Sequence, residues 1–95
     1  MKVWVNGSFD ILHIGHMRLL EYASELGDVY VGVDTDERIK QLKGDNRPFN
    51  NLSERMEFLR GIRYVKDVVS FDSDEELIET IKNIKPNFLK EKLGF

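Results

Sequence analysis

Residues 2–33, KVWVNGSFDILHIGHMRLLEYASELGDVYVGV, place two short apolar runs on either side of one stretch of helical period. Residues 2–6 (KVWVN) are rich in valine and tryptophan and alternate weakly until Gly7 breaks the run, which predicts a first strand. Ile14, Met17, Leu20, Ala23 and Leu26 fall on one face of a helix, and Gly27 stands where a glycine ends many helices. Residues 29–33 (VYVGV) are uninterrupted and apolar between Asp28 and Asp34, the pattern of a strand buried on both faces. Strand, helix and strand within about thirty residues make a βαβ unit, which implies a parallel sheet with a right-handed crossover.

The rest of the chain extends that unit. Residues 34–50 (DTDERIKQLKGDNRPFN) are polar and basic, with Gly44, Asn46 and Pro48 as loop signals and a short helix around residues 37–42. Asn51 to Glu54 has the spacing of a capping box, and Leu52, Met56, Leu59 and Ile62 supply a buried stripe for a second firm helix. Residues 67–71 (DVVSF) predict a short strand. Ser73 to Glu76 repeats the capping-box spacing, and Leu77, Ile78, Ile81 and Ile84 are expected to face inward before Pro86 stops the helix. Phe88 and Leu89 begin a fourth strand. With no repeats or linkers, residues 1–95 read as one α/β domain: a Rossmann-like, doubly wound parallel sheet of three to four strands with helices on both faces.

Ninety-five residues suffice for a single core, and 41% hydrophobic with 33% charged residues is an ordinary globular composition. No apolar run approaches the roughly 18 residues of a membrane span, and the chain opens directly onto a strand, so the cytoplasm is the expected compartment. Without cysteine there is no disulfide, thiolate chemistry or cysteine-bound zinc, and any metal must be held by oxygen or imidazole. The net charge of −3 is segregated. Residues 38–66 carry eight bases (Arg38, Lys40, Lys43, Arg47, Arg55, Arg60, Arg63, Lys66) against Asp45, Glu54 and Glu57, a local +5 that leaves −8 elsewhere. A basic segment in an acidic protein suits a compact anion such as a phosphate ester better than nucleic acid. For any one base, a solvated surface position remains the ordinary alternative.

Open parallel sheets bind ligands at the carboxyl ends of their strands, where Gly7 and Ser8 leave the first strand and the first helix begins. The free N–H groups and positive end of that helix suit a phosphate, Gly7 permits close approach, and Gly15 keeps bulk away. His13 and His16, spaced i and i+3, project from one side of the first turn and can donate to phosphate oxygens together. The alternative for either is a helix cap or a satisfied buried carbonyl; chelation of zinc with Asp10 is a weaker idea. Asp10 either orients His13 or a metal-bound water, or caps the helix. Asp34 either meets a ribose or metal, or only forms a turn. Arg55 lies beside the Leu52–Leu59 stripe, where its stem can cross the core and its head pair with an acid. Trp4 and Phe9 belong to the core.

GSFDILHIGH at residues 7–16 resembles the G-x-F-D-x-x-H-x-G-H signature of the small cytidylyltransferase-like nucleotidyltransferases. The text from Val33 to Phe71 is similar in order and spacing to the branch containing D-glycero-β-D-manno-heptose 1-phosphate adenylyltransferase. Glycerol-3-phosphate cytidylyltransferase is a more distant likeness. The resemblance runs from about residue 2 to residue 87 and includes a K-G-x-x-R-P loop at Lys43 to Pro48. It implies transfer of a nucleotidyl group from ATP, or CTP, to a phosphorylated small molecule, with Mg²⁺ accompanying the triphosphate. It further implies that Ser8 and the backbone of Phe9 meet the triphosphate, that His13 and His16 contact it around the α-phosphorus, and that Lys43 and Arg55, with Arg47, bind substrate or leaving phosphates. Relatives continue past the K-P-N step into a strand, a glycine-aspartate turn and a late S-T-T motif. Residues 88–95 depart from that pattern, so about a third of the usual domain is expected to be absent. A sheet without its outer strand exposes an edge, which favours a homodimer or higher assembly. Neither nucleic acid nor membrane is an expected partner.

Overall fold

Four strands make one parallel sheet in the order β3-β2-β1-β4. The computed structural model describes residues 1–90, and the expected departure over residues 91–95 lies outside them. The elements are β1 (Lys2–Gly7), α1 (Ile14–Leu26), β2 (Asp28–Asp34), α2 (Asp36–Lys43), α3 (Leu52–Arg60), β3 (Val65–Phe71), α4 (Asp74–Ile84) and β4 (Phe88–Lys90). The chain builds outward from β1 through β2 to β3, then returns to the far side of β1 for β4. Right-handed crossovers place α1 and α3 on one face and α4 on the other. The switch in direction falls beside β1, so the loop after Gly7 opens at the carboxyl end of the sheet, where open parallel sheets generally bind ligands.

The predicted strands form, each extended by one or two residues. Period-two alternation divides their side chains between the faces. Val3, Val5, Val29, Val31, Val33 and Val68 join Leu20, Ala23, Leu59 and Ile62 in the main cluster. Trp4 points to the opposite face, fully buried, and its Nε1–H donates to Asn6 Oδ1 at 2.9 Å. Gly32 makes room for it: a Cβ there would lie 2.3 Å from Trp4 Cζ2 and 3.3 Å from Phe71 Cε1.

Two amphipathic readings need correction. In α1 the inward residues are His16, Leu20 and Ala23, while Ile14 is 66% and Met17 37% exposed. The first turn stands at the carboxyl end of β1, and its inward position goes to an imidazole packed on Phe9. In α4 no residue is fully buried, and Ile78 is 52% exposed. At 100° per residue Leu77, Ile81 and Ile84 share a stripe that leaves Ile78 on its flank. Both predicted caps form, with one difference. Asn51 and Glu54 satisfy each other's backbone N–H reciprocally, whereas Ser73 accepts from Glu76 N and the Glu76 carboxylate accepts from Asp72 N.

The Gly32–Trp4 contact generates a test. Gly32→Ala forces overpacking against an indole with nowhere to move, and is expected to cost about 1–3 kcal/mol. Urea unfolding followed by the fluorescence of the single tryptophan should show a lower midpoint with an unchanged slope.

Candidate phosphate-binding site at the carboxyl end of the sheet

The loop between β1 and α1 is shaped by Phe9, whose φ of +49° lies in the left-handed region that a bulky residue rarely adopts. Its ring is buried and lies 5.4 Å from that of His16. His13 is the N-cap of α1. Its Nδ1 accepts from Gly15 N at 3.0 Å, while His16 Nδ1 accepts from His13 N at 3.1 Å. The two imidazoles thus form a reciprocal capping box, a device usually built from a hydroxyl and a carboxylate. The expected cap role and the expected pairing of the rings are therefore one arrangement, with centroids 4.0 Å apart.

This cap has a chemical consequence. A neutral imidazole whose Nδ1 accepts a backbone N–H carries its proton on Nε2. Both rings are thereby set as Nε2–H donors at the positive end of a helix. Burial lowers the His16 pKa below the usual histidine value, and the nearby His13 lowers it further, which favours the neutral ring. One N–H of the first turn, that of Gly15, is taken by His13.

Asp10 does not cap α1, whose N-cap is His13, and its carboxylate is directed to the basic loop. Its carboxylate accepts from the backbone N–H groups of Phe49 and Asn50, each at 2.8 Å, and from Arg47 Nε at 3.0 Å. The Asn50 amide returns a bond to the Asp10 carbonyl. Burial on its own would raise the pKa of this carboxyl; the Asn50 and Phe49 N–H donors and Arg47 outweigh it and hold the group below the ordinary aspartate value. Asp10 is therefore the latch that fixes the basic loop against the β1–α1 loop. Arg47 spends its Nε on that latch, and its guanidinium lies 4.7 Å from the Phe49 ring centroid.

Arg55 is held by the protein's own oxygens. Its side chain is 1% exposed. Nε donates to the Asn50 carbonyl, Nη1 to the carbonyls of Ser8 and Asp34, and Nη2 to Asp36 Oδ1. The guanidinium, expected on a phosphate, is here surrounded by protein oxygens, with its head paired as the alternative reading has it. Asp34 gives its carboxylate to Arg38 Nε at 2.8 Å, and Arg38 Nη2 reaches Asp74. Lys43, at the end of α2, donates from Nζ to Ser8 Oγ at 3.1 Å, bringing the basic loop's lysine to the end of β1. Gly7 pairs with Val33 at that same end.

Ser8, Lys43, Phe9 and the histidine pair thus gather around the first helix, while Asp10, Asp34, Arg47 and Arg55 are engaged in holding the loops. Among the described residues no group of three or more histidine or acidic side chains is arranged to hold a metal, so His13, His16 and Asp10 do not assemble as a chelate. A cleft of about 300 Å³ lies between the loop and α3 beside Ile11, Leu12, Glu54 and Phe58, and neither histidine lines it. Sequence reasoning missed Asp36 and Asn50, the partners of Arg55 and Asp10. Asn50 gave no signal; the acidic start of α2 hinted only at a helix dipole.

Two outcomes follow for solution work. Asp10→Asn offers one acceptor where three donors converge, and is expected to cost about 1–3 kcal/mol of stability. The pH dependence has a definite sign. Below pH 6.5 the unfolded chain takes up a proton at residue 16 before the folded one does, so stability declines from there through the lower folded value. The Asp10 contribution is complete above pH 3.8 and is lost as pH falls through its own lowered value. Urea midpoints between about pH 8 and about pH 5 should fall in the wild type and vary less in His16→Gln.

Comparison with known proteins agrees with this geometry. The profile of the family described as cytidylyltransferase-like matches residues 4–90. The bifunctional protein HldE of Helicobacter hepaticus is 51% identical over 88 residues, covering 92% of this chain and 18% of that protein. An FAD synthase of Pyrococcus abyssi is 47% identical over 90 residues, covering 94% of this chain and 60% of that protein. The chain thus spans about a fifth of the HldE proteins it matches. A lipopolysaccharide core biosynthesis protein of Thermoplasma volcanium shares the fold with a TM-score of 0.81 at 23% identity, over 94% of this chain and 71% of that one. The match across nearly the whole described length, with the paired histidines at the head of α1, shows that the chain belongs to the cytidylyltransferase-like family of nucleotidyltransferases.

Proposed function

We propose that this domain transfers AMP from ATP to a sugar 1-phosphate of the heptose-phosphate type and releases pyrophosphate. The observation that carries the reading is the reciprocal histidine cap, which sets two Nε2–H donors at a helix N-terminus beside Ser8 and Lys43. In an in-line displacement, an acceptor phosphate oxygen forms a bond to the α-phosphorus as the bond to the β-phosphate bridging oxygen breaks. The work left to the protein is positioning and neutralisation of charge. His13 and His16 donate to oxygens of the α-phosphate, more strongly as charge accumulates there. Lys43 exchanges its bond to Ser8 for a phosphate oxygen, and the Ser8 hydroxyl is then released to donate as well.

Mg²⁺ enters as the companion of the triphosphate. Asp10 and Asp34 are engaged with loop N–H groups and with Arg38, so phosphate oxygens and water would supply its ligands. The likeness to an FAD synthase supports a second reading with the same donor, since FAD is FMN joined to AMP. CTP with glycerol 3-phosphate is a third pairing. A cytoplasmic homodimer or higher assembly belongs to the same proposal: β4 is an edge strand among the described residues, beside an apolar groove lined by Tyr22, Leu26, Phe88 and Leu89. No helix of the described residues is long and apolar enough to cross a membrane.

Pyrophosphate release with ATP, CTP, GTP and UTP against sugar 1-phosphates, glycerol 3-phosphate and FMN tests the proposal. Turnover is expected with ATP and a sugar 1-phosphate, reduced on the order of 10²–10³-fold in kcat by His16→Ala. Absence of turnover with every pair, or a His16→Ala variant as fast as the wild type, would contradict it.

A further inference from the structure

Arg55 is a buried cation whose partners are mainly backbone oxygens drawn from separate segments: Ser8 after β1, Asp34 at the end of β2 and Asn50 before α3. A surface arginine would satisfy itself with water and one acid. Here the fork collects three carbonyls and the Asp36 carboxylate, and each carbonyl bond fixes the plane of a peptide.

In a trans peptide the carbonyl and the following N–H point in opposite directions, and the one cis bond in the described chain is Arg47–Pro48. At Asp34 the carbonyl goes to Arg55, and the Thr35 N–H on the other side of that peptide donates to Phe71 O at 3.1 Å. At Asn50 the carbonyl goes to Arg55, and the Asn51 N–H donates to Glu54 Oε1. At Ser8 the carbonyl goes to Arg55 at 2.8 Å, and the Phe9 N–H, turned the opposite way, meets no acceptor among the described residues. The positive φ of Phe9 follows directly after this anchored peptide.

We infer that Arg55 is a positioning residue: it holds the Ser8–Phe9 peptide so that the Phe9 N–H faces away from it as a donor for a phosphate oxygen, and it makes no contact with phosphate itself. The inference rests on the proposed nucleotidyl transfer and adds a role that charge alone does not supply. Lysine keeps the charge but offers one ammonium in place of a planar fork, so it cannot reach all four acceptors in one geometry.

The ¹⁵N-labelled chain titrated with inorganic pyrophosphate, as wild type and as Arg55→Lys, separates the possibilities. In the wild type the Phe9 amide and the imidazole resonances of His13 and His16 should all respond. In Arg55→Lys the dissociation constant should rise on the order of tenfold, with the Phe9 amide silent and the histidines still responding. A direct ionic role predicts instead that the lysine variant keeps the Phe9 response, and that result overturns the inference. So does a wild type in which the histidines respond and Phe9 does not, an outcome readable even if the variant fails to fold. If neither responds in the wild type, the nucleotidyl reading fails and carries this one with it.

Discussion

Two buried ions of opposite sign grip the same residue. Asp10 and Arg55 each leave about a hundredth of their side chain exposed, and neither ion pairs with the other. Asp10 takes the N–H of Asn50 and Arg55 takes its carbonyl. An unpaired ion in such a place would cost several kcal/mol, so each must find its full set of partners, and the backbone of the basic loop supplies them. That requirement fixes where the loop runs. It also fixes Lys43, which leaves α2 just before the loop and lands on Ser8.

The same economy of partners accounts for the charge that holds the loops. Asp34, Arg38, Asp36, Arg47 and Arg55 are matched with one another or with backbone, and their fields largely cancel. On the proposed reading, the donors a ligand would meet at the end of β1 are the lysine, the serine hydroxyl, the Phe9 N–H and two imidazoles oriented by backbone bonds. Dipoles fixed before a ligand arrives need no reorganisation when charge develops, which is the condition under which a few hydrogen bonds matter to a displacement at phosphorus.

Much of this was legible in the sequence. The βαβ unit followed from two valine-rich runs around a helical period, and the later elements from caps and stripes, because those features depend on local spacing. The histidines were readable as a pair because i and i+3 are neighbours on any helix. That His16 would take the His13 N–H while His13 takes the Gly15 N–H was not, since imidazole is an uncommon cap and the arrangement depends on the extended backbone at His13. Ile14 and Met17 were misplaced because periodicity gives a face without saying where the sheet ends. Arg55 shows a different limit. Its place beside an apolar stripe suggested a paired head, the family resemblance suggested a phosphate, and only the meeting of three distant loops distinguishes them. Gly32 likewise reads as an ordinary strand residue until Trp4 occupies the space above it.

The most direct measurement on this account is the tautomeric state of the two histidines, read from long-range ¹H–¹⁵N correlations of the imidazole rings at about pH 8. The reciprocal cap predicts that both rings leave Nδ1 unprotonated and carry the proton on Nε2. An Nδ1–H tautomer at either His13 or His16 would contradict it, because a ring that donates from Nδ1 cannot accept the backbone N–H that defines the site.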